Sequence, residues 1–193
     1  MSFMSNFSRW LMRKLKTEKK AKILILGLDA AGKTTLTKYV NTGEFFEGLT
    51  PTIGQNIDTI NFEGWDITTI DVAGQEQFRF LWDIHYPGSS AVIFVIDAAD
   101  IERLPEARDI LRIHLINNPY LVGVPALILA NKQDLPAAIQ APMLIQLLNL
   151  HLDMKDRTFA VFDCSALTGF GVVEAFTWLV NQLSMEKLEE MYQ

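Results

Sequence analysis

Residues 27–35 read GLDAAGKTT, a G-x-x-x-x-G-K-[ST] spacing that follows an apolar run and opens a helical pattern. Gly27 and Gly32 permit backbone angles at which successive N–H groups curl around a phosphate chain. A helix starting near Lys33 adds the positive end of its dipole. The candidate phosphate contacts are Asp29, Ala30, Ala31, Gly32, Lys33, Thr34 and Thr35. Lys33 would reach the outer phosphates as a point charge, and the Thr34 hydroxyl would ligate Mg²⁺.

A second stretch, NKQD at 131–134, can choose between purines. The Asp134 carboxylate can accept two hydrogen bonds from the N1–H and 2-amino group of guanine. Adenine offers neither donor on that edge, and the resulting unpaired charge costs about 1–3 kcal/mol or more. Asn131 and the Lys132 stem would brace the loop and cover the base. Ser165, Ala166 and Leu167 follow the last apolar run, where the Ala166 N–H can reach guanine O6.

Residues that could sense a third phosphate lie between these two motifs. In DVAGQE (71–76), Asp71 is suited to the Mg²⁺ shell, the Gly74 N–H to a γ-phosphate and Gln75 to orienting an attacking water. In TPTIG (50–54), Thr52 could complete the metal shell once the third phosphate holds its loop. The expected metal ligands are therefore Thr34, Thr52 and Asp71, and the expected catalytic pair is Gln75 with Lys33, which would neutralise the leaving oxygens. No arginine acting in cis is evident near the switches, so intrinsic hydrolysis is expected to be slow.

These motifs need strands to carry them. Apolar runs occur at 22–27, 57–62, 65–72, 91–97, 125–131 and 158–165, with helical patterns at 33–42, 78–86, 102–117, 142–150 and 172–190. Four runs are continuously apolar, as in parallel strands covered on both faces. The pair 57–62 and 65–72, split by Glu63-Gly64, reads as a hairpin. Strand–helix alternation predicts a doubly wound α/β sheet, mostly parallel and six-stranded, with one antiparallel edge. In such sheets ligands lie outside the carboxyl ends of the strands, where each motif falls. With 193 residues, 49% of them hydrophobic, the chain is large enough for one domain with a sizeable core. The single cysteine, Cys164, excludes an internal disulfide and reads as a small buried hydrophobe.

Together GLDAAGKTT, TPTIGQN, DVAGQE, FRFLW (78–82) and ANKQDLP (130–136) resemble the Arf family of Ras-superfamily small GTPases, over roughly residues 22–183. The resemblance implies a switch that binds GTP or GDP with Mg²⁺, hydrolyses GTP slowly and acts in membrane traffic or organisation. It implies an exchange factor, a GTPase-activating protein and effectors at the switch surface. It also implies a coupling device, in which the hairpin between the switches slides on GTP binding and expels an N-terminal helix from a pocket. The sequence departs from the family at Ser2, where a myristoylated Gly is usual, and at Ala73, where Gly is usual. The aromatic trio that meets effectors in many members maps to Gln55, Ile70 and His85. The absence of an N-terminal lipid site is similar to the Sar branch, whereas Gln75 and GLDAAGKTT are closer to Arf. The pattern fits a divergent or archaeal-type member.

The N-terminal arm is unlike the rest. Its first 22 residues carry seven Lys/Arg and one acid, a charge of 7 − 1 = +6, which leaves −6 − 6 = −12 for the remainder. An acidic body argues against nucleic-acid binding. On a helix, Phe3, Met4, Phe7, Trp10, Leu11 and Leu15 share an arc of about 140°, with Ser2, Ser5, Asn6, Arg9, Arg13 and Lys16 opposite. The reading is an interfacial amphipathic helix over 1–21 ahead of a GTPase domain over 22–193, giving a cytoplasmic protein that binds membranes peripherally and reversibly. A permanently docked helix and an organelle transit peptide are the competing readings of the arm. For the domain, the rivals are a GTP-loaded scaffold with negligible hydrolysis and a P-loop ATPase or kinase, the latter disfavoured by Asp134.

Overall fold

The structure is a computed structural model that describes residues 19–44 and 52–192. Its strands are β1 (Lys20–Leu26), β2 (Gln55–Phe62), β3 (Trp65–Val72), β4 (Ala91–Asp97), β5 (Ala126–Asn131) and β6 (Phe159–Asp163). They form one sheet in the order β2-β3-β1-β4-β5-β6. Only the β2–β3 pair is antiparallel, in the doubly wound arrangement predicted from the sequence. Glu63 and Gly64 close the hairpin with φ of 48° and 78°, the positive values that match a two-residue turn to the strand twist.

Successive strand residues face opposite sides of the sheet, so the continuous apolar runs feed two cores. Leu24, Leu26, Phe94 and Ile96 pack beneath α2 (Leu104–Leu111) and α3 (Ala141–Leu147). Ile23, Ile25, Ile93 and Val95 pack against α1 (Lys33–Thr42) and α5 (Val172–Tyr192). The central strands β1 and β4 are thus buried on both faces, while β2 at the edge is largely exposed. Parallel register brings the strand ends together: Ile25 pairs with Asp71, and Asp97 with Asn131.

Several helical expectations change in detail. Of residues 78–86, read as a helix, 78–84 belong to a 3₁₀ segment over Glu76–Ile84, and the chain turns out of it at His85. Its tighter winding and longer rise spread the nine residues along the switch rather than over one helical face. The stretch 102–117 is composite, with a 3₁₀ turn (Ile101–Arg103), α2 and a π-turn over Arg112–Ile116. The stretch 142–150 splits into α3 and α4 (Leu150–Asp153) because Asn149, at φ 55°, leaves the right-handed helix. The amphipathic helix expected over 1–21 lies outside the described residues up to 18, and Lys20 and Ala21 already belong to β1.

Phe94 is fully buried at the centre of the β1–β4–β5 layer. Phe94→Ala should cost about 3–5 kcal/mol of unfolding free energy, measured by chemical denaturation, because the surrounding strands cannot close the cavity.

Candidate functional site

The phosphate-type loop leaves β1 and enters α1 with Gly27 at φ 138° and Gly32 at φ 98°. A side chain at Gly27 would overlap the Val95 carbonyl of β4, so glycine is required by space as well as by φ. Ala30 also takes positive φ, and the first helical bond runs from the Leu36 N–H to the Gly32 carbonyl at 2.9 Å. Lys33 is buried, and its Nζ folds back to donate to the carbonyls of Gly27 (3.0 Å) and Leu28 (2.8 Å). Burial lowers its pKa to about 8, against the opposing pull of Asp71 and Asp29. Asp29 lies partly exposed on the same loop, beside Ala31 and Gly32, and Thr35 lies partly exposed in the first turn of α1.

Thr34, Thr52 and Asp71 converge from α1, the segment before β2 and the end of β3. Thr34 Oγ1 donates to Asp71 Oδ2 at 2.6 Å and lies 2.8 Å from Thr52 Oγ1, which is 3.5 Å from the same carboxylate oxygen. Asp71 is fully buried, and its Oδ1 has no partner among the described residues. Burial raises its pKa, while the Thr34 hydroxyl and then Lys33 oppose the rise. A buried carboxylate oxygen left without a donor, beside two hydroxyls, is a donor set suited to a hard cation. The described residues contain no cluster of three His, Cys, Asp or Glu. A cation here would therefore take its remaining ligands from phosphate and water, as Mg²⁺ does. The residues present fit that ion.

The segment after β3 lies directly on the phosphate-type loop. A side chain at Gly74 would overlap the backbone of Gly27, Leu28 and Asp29. Ala73 is buried without positive φ, so the position that is usually Gly in the family accepts a methyl group without backbone strain. Its N–H donates to the Gly54 carbonyl at 2.9 Å, joining the two switch-like segments. Gln75 is half-buried, and its Oε1 meets Gln77 Nε2 at 3.4 Å rather than the loop.

Two arginines that the sequence reading missed stand close by. Arg79 Nε donates to the Gly74 carbonyl at 3.0 Å, and its Nη2 pairs with Glu106 of α2 at 2.6 Å. Arg103 pairs with Asp100 at 2.5 Å and reaches Asp29 Oδ1 at 3.4 Å. The first had a faint signal in FRFLW, four residues after Gln75. The second contact spans 74 residues and had none.

Asn131 ties the other loops to the first. It is 2% exposed; its Nδ2 donates to the Ala31 carbonyl at 2.7 Å, and its Oδ1 accepts the Ala166 N–H at 2.9 Å. The Ala166 N–H, read from the sequence as a donor to guanine O6, is thus engaged by a side chain that the loop also needs. Lys132 takes φ 68° and pairs with Asp97 at 2.6 Å. Asp134 stays exposed and accepts the Ser165 hydroxyl at 2.6 Å, with Leu167 half-buried beyond it. His85 hydrogen-bonds to Gln55, so the position of the aromatic trio carries a polar pair beside buried Ile70.

The family model described as "ADP-ribosylation factor family" matches residues 7–183. ADP-ribosylation factor K and ADP-ribosylation factor J of Dictyostelium discoideum are each 38% identical over 183 residues, spanning 95% of this chain and 94% of theirs. Among solved structures, the Arl6 BBS3 small GTPase from Trypanosoma brucei, with bound nucleotide analogue GppNp, superposes with a TM-score of 0.79 at 34% identity. That match covers 86% of this chain and 98% of the other.

Burial, with Asp163 adding to it, pushes the Cys164 thiol up from 9.0 to about 12. Its contribution to stability is therefore complete below pH 9 and declines as the pH rises toward 12. At pH 8 a thiol reagent should label Cys164 only as fast as the chain unfolds, and prompt labelling of folded protein would contradict this burial.

Proposed function

The chain belongs to the ADP-ribosylation factor family and is a GTP-binding switch GTPase, and from that premise we propose how its own residues work the switch. The supporting observation is the Thr34–Thr52–Asp71 cluster, which joins one residue from each switch segment to the helix that follows the phosphate loop. Thr34, Thr52 and Asp71 would hold Mg²⁺, which supplies charge neutralisation across the outer phosphates when bound. Lys33 exchanges its two carbonyl acceptors for phosphate oxygens, and the loop N–H groups from Asp29 to Thr35 orient the chain of phosphates. Thr52 and the Gly74 N–H report the third phosphate, because GDP gives them nothing to hold. Gln75 turns from Gln77 to orient the attacking water.

Arg79 and Arg103 are already paired with Glu106 and Asp100, so neither is free to neutralise the transition state. Intrinsic hydrolysis is therefore slow, on the order of 10⁻⁴–10⁻³ s⁻¹, and an activating protein's arginine would add about 10³–10⁵. An exchange factor and effectors complete the cycle. The Gln55–His85 pair gives the effector surface a polar centre unlike the aromatic trio.

Asp134 sets base choice. Asp134→Asn keeps an acceptor for Ser165 yet loses the charge-assisted pair to guanine, so GDP affinity should fall about 10- to 100-fold in nucleotide competition. An unchanged guanine preference would remove Asp134 from the base site.

The arm over 1–21 supplies the membrane contact. Four large anchors contribute about 1.5–3 kcal/mol each when fully buried and about half that at an interface, each nearby Lys/Arg adds up to about 1 kcal/mol at an anionic surface, and ordering about 14 residues costs a similar total. Binding is therefore weak and reversible. On anionic liposomes, the form loaded with a non-hydrolysable GTP analogue should float and the GDP form should not. Equal behaviour of the two would mean that nucleotide does not gate the arm.

A further inference from the structure

Trp82 is the one buried residue of the 3₁₀ segment, and its indole N–H donates to the Ala73 carbonyl at 3.0 Å in the protein interior. Indole nitrogen is a donor only, so this bond has one possible sense. The Ala73 carbonyl and the Gly74 N–H belong to one peptide unit, and the described residues contain no cis peptide bond. In a trans unit the two groups point in opposite directions. A donor that fixes the carbonyl on one side therefore fixes the N–H on the other. Gly74 itself lies against the phosphate loop, so closely that a side chain would overlap the loop backbone.

The indole is itself held. The His114 ring meets it edge-on, with centroids 4.7 Å apart and planes at 68°. His114 Nδ1 lies 2.7 Å from the Tyr86 hydroxyl, and His114 is carried by the π-turn at the end of α2. On the opposite side of Ala73, its own N–H is fixed to Gly54. Residue 73 is thus held at both of its peptide units: the 73–74 carbonyl by an indole buttressed from the turn after α2, and the 72–73 N–H by the segment before β2.

We propose that Trp82 is a positioning residue for third-phosphate sensing: its indole N–H orients the Ala73–Gly74 peptide so that the Gly74 N–H faces the phosphate. This rests on the GTP-switch reading above. It assigns to a buried aromatic residue, eight positions beyond Gly74, a share of the discrimination between the two nucleotide states. Packing alone would make Trp82 matter equally to both states. Peptide orientation makes it matter to the GTP state.

The test replaces the indole N–H by sulfur in the full chain, using 3-benzothienylalanine at position 82, alongside Trp82→Phe. Affinities for GDP and for the non-hydrolysable analogue GppNHp are measured by competition on the same preparations. The sulfur variant should bind GppNHp about five- to tenfold more weakly, with GDP affinity unchanged, as expected for one lost hydrogen bond. Trp82→Phe should shift the ratio in the same direction. If Trp82→Phe does not fold, the near-isosteric sulfur variant carries the result. A parallel loss of both affinities, or no change in either, overturns the assignment. Wild-type protein that binds neither nucleotide overturns the underlying reading and this assignment with it, an outcome distinct from the first.

Discussion

The buried amide of Asn131 is the interaction on which the site depends. It sits at the end of β5, nearly inaccessible to water, where an unsatisfied donor or acceptor would cost about 1–3 kcal/mol. It is satisfied by two other loops at once, through the Ala31 carbonyl and the Ala166 N–H. The loop that follows β1 and the loop that follows β6 are therefore spaced by one side chain on β5. Parallel pairing makes this possible, because Asp97 and Asn131 end their strands in register and Lys132 can then close onto Asp97. The sheet sets the height of each loop, and the amide sets the distance between them.

A second constraint is crowding of main chain against main chain. The segment after β3 approaches the phosphate loop so closely that Gly74 has no room for a Cβ. Such proximity is useful only if the peptide groups are correctly oriented, since an N–H and a carbonyl at the same spot have opposite effects on an anion. Orientation comes from donors outside the loop. Trp82 holds the Ala73 carbonyl, Arg79 holds the Gly74 carbonyl, and the Ala73 N–H holds Gly54. The change from the usual Gly to Ala at 73 is compatible with this, because the residue sits at ordinary φ with its methyl group buried.

Charge follows the same economy. The body of the chain is acidic, yet three cations described at the carboxyl edge of the sheet are balanced locally: Lys132 by Asp97, Arg79 by Glu106 and Arg103 by Asp100. Lys33 differs from these three, being bonded to two neutral carbonyls and buried so that its pKa falls to about 8. An ammonium group in that position gains more from an incoming phosphate than a solvated one would, because its burial has already been met by the fold.

Much of this was legible in the sequence. The apolar runs predicted all six strands and the Glu63-Gly64 hairpin, because period and turn chemistry are local properties. The motif residues were visible as spacings, and the cluster of Thr34, Thr52 and Asp71 could be inferred from them. What escaped is what depends on contacts between segments far apart in the chain. Arg103 meets Asp29 across 74 residues, the amide of Asn131 claims the Ala166 N–H, and the helix expected at 78–86 winds as 3₁₀ while Trp82 and Arg79 bind back to the loop. The chemistry of each group was set by its residue type. Its direction was decided only when the sheet brought the loops together, since hydrogen-bond geometry between distant segments is written in no local pattern.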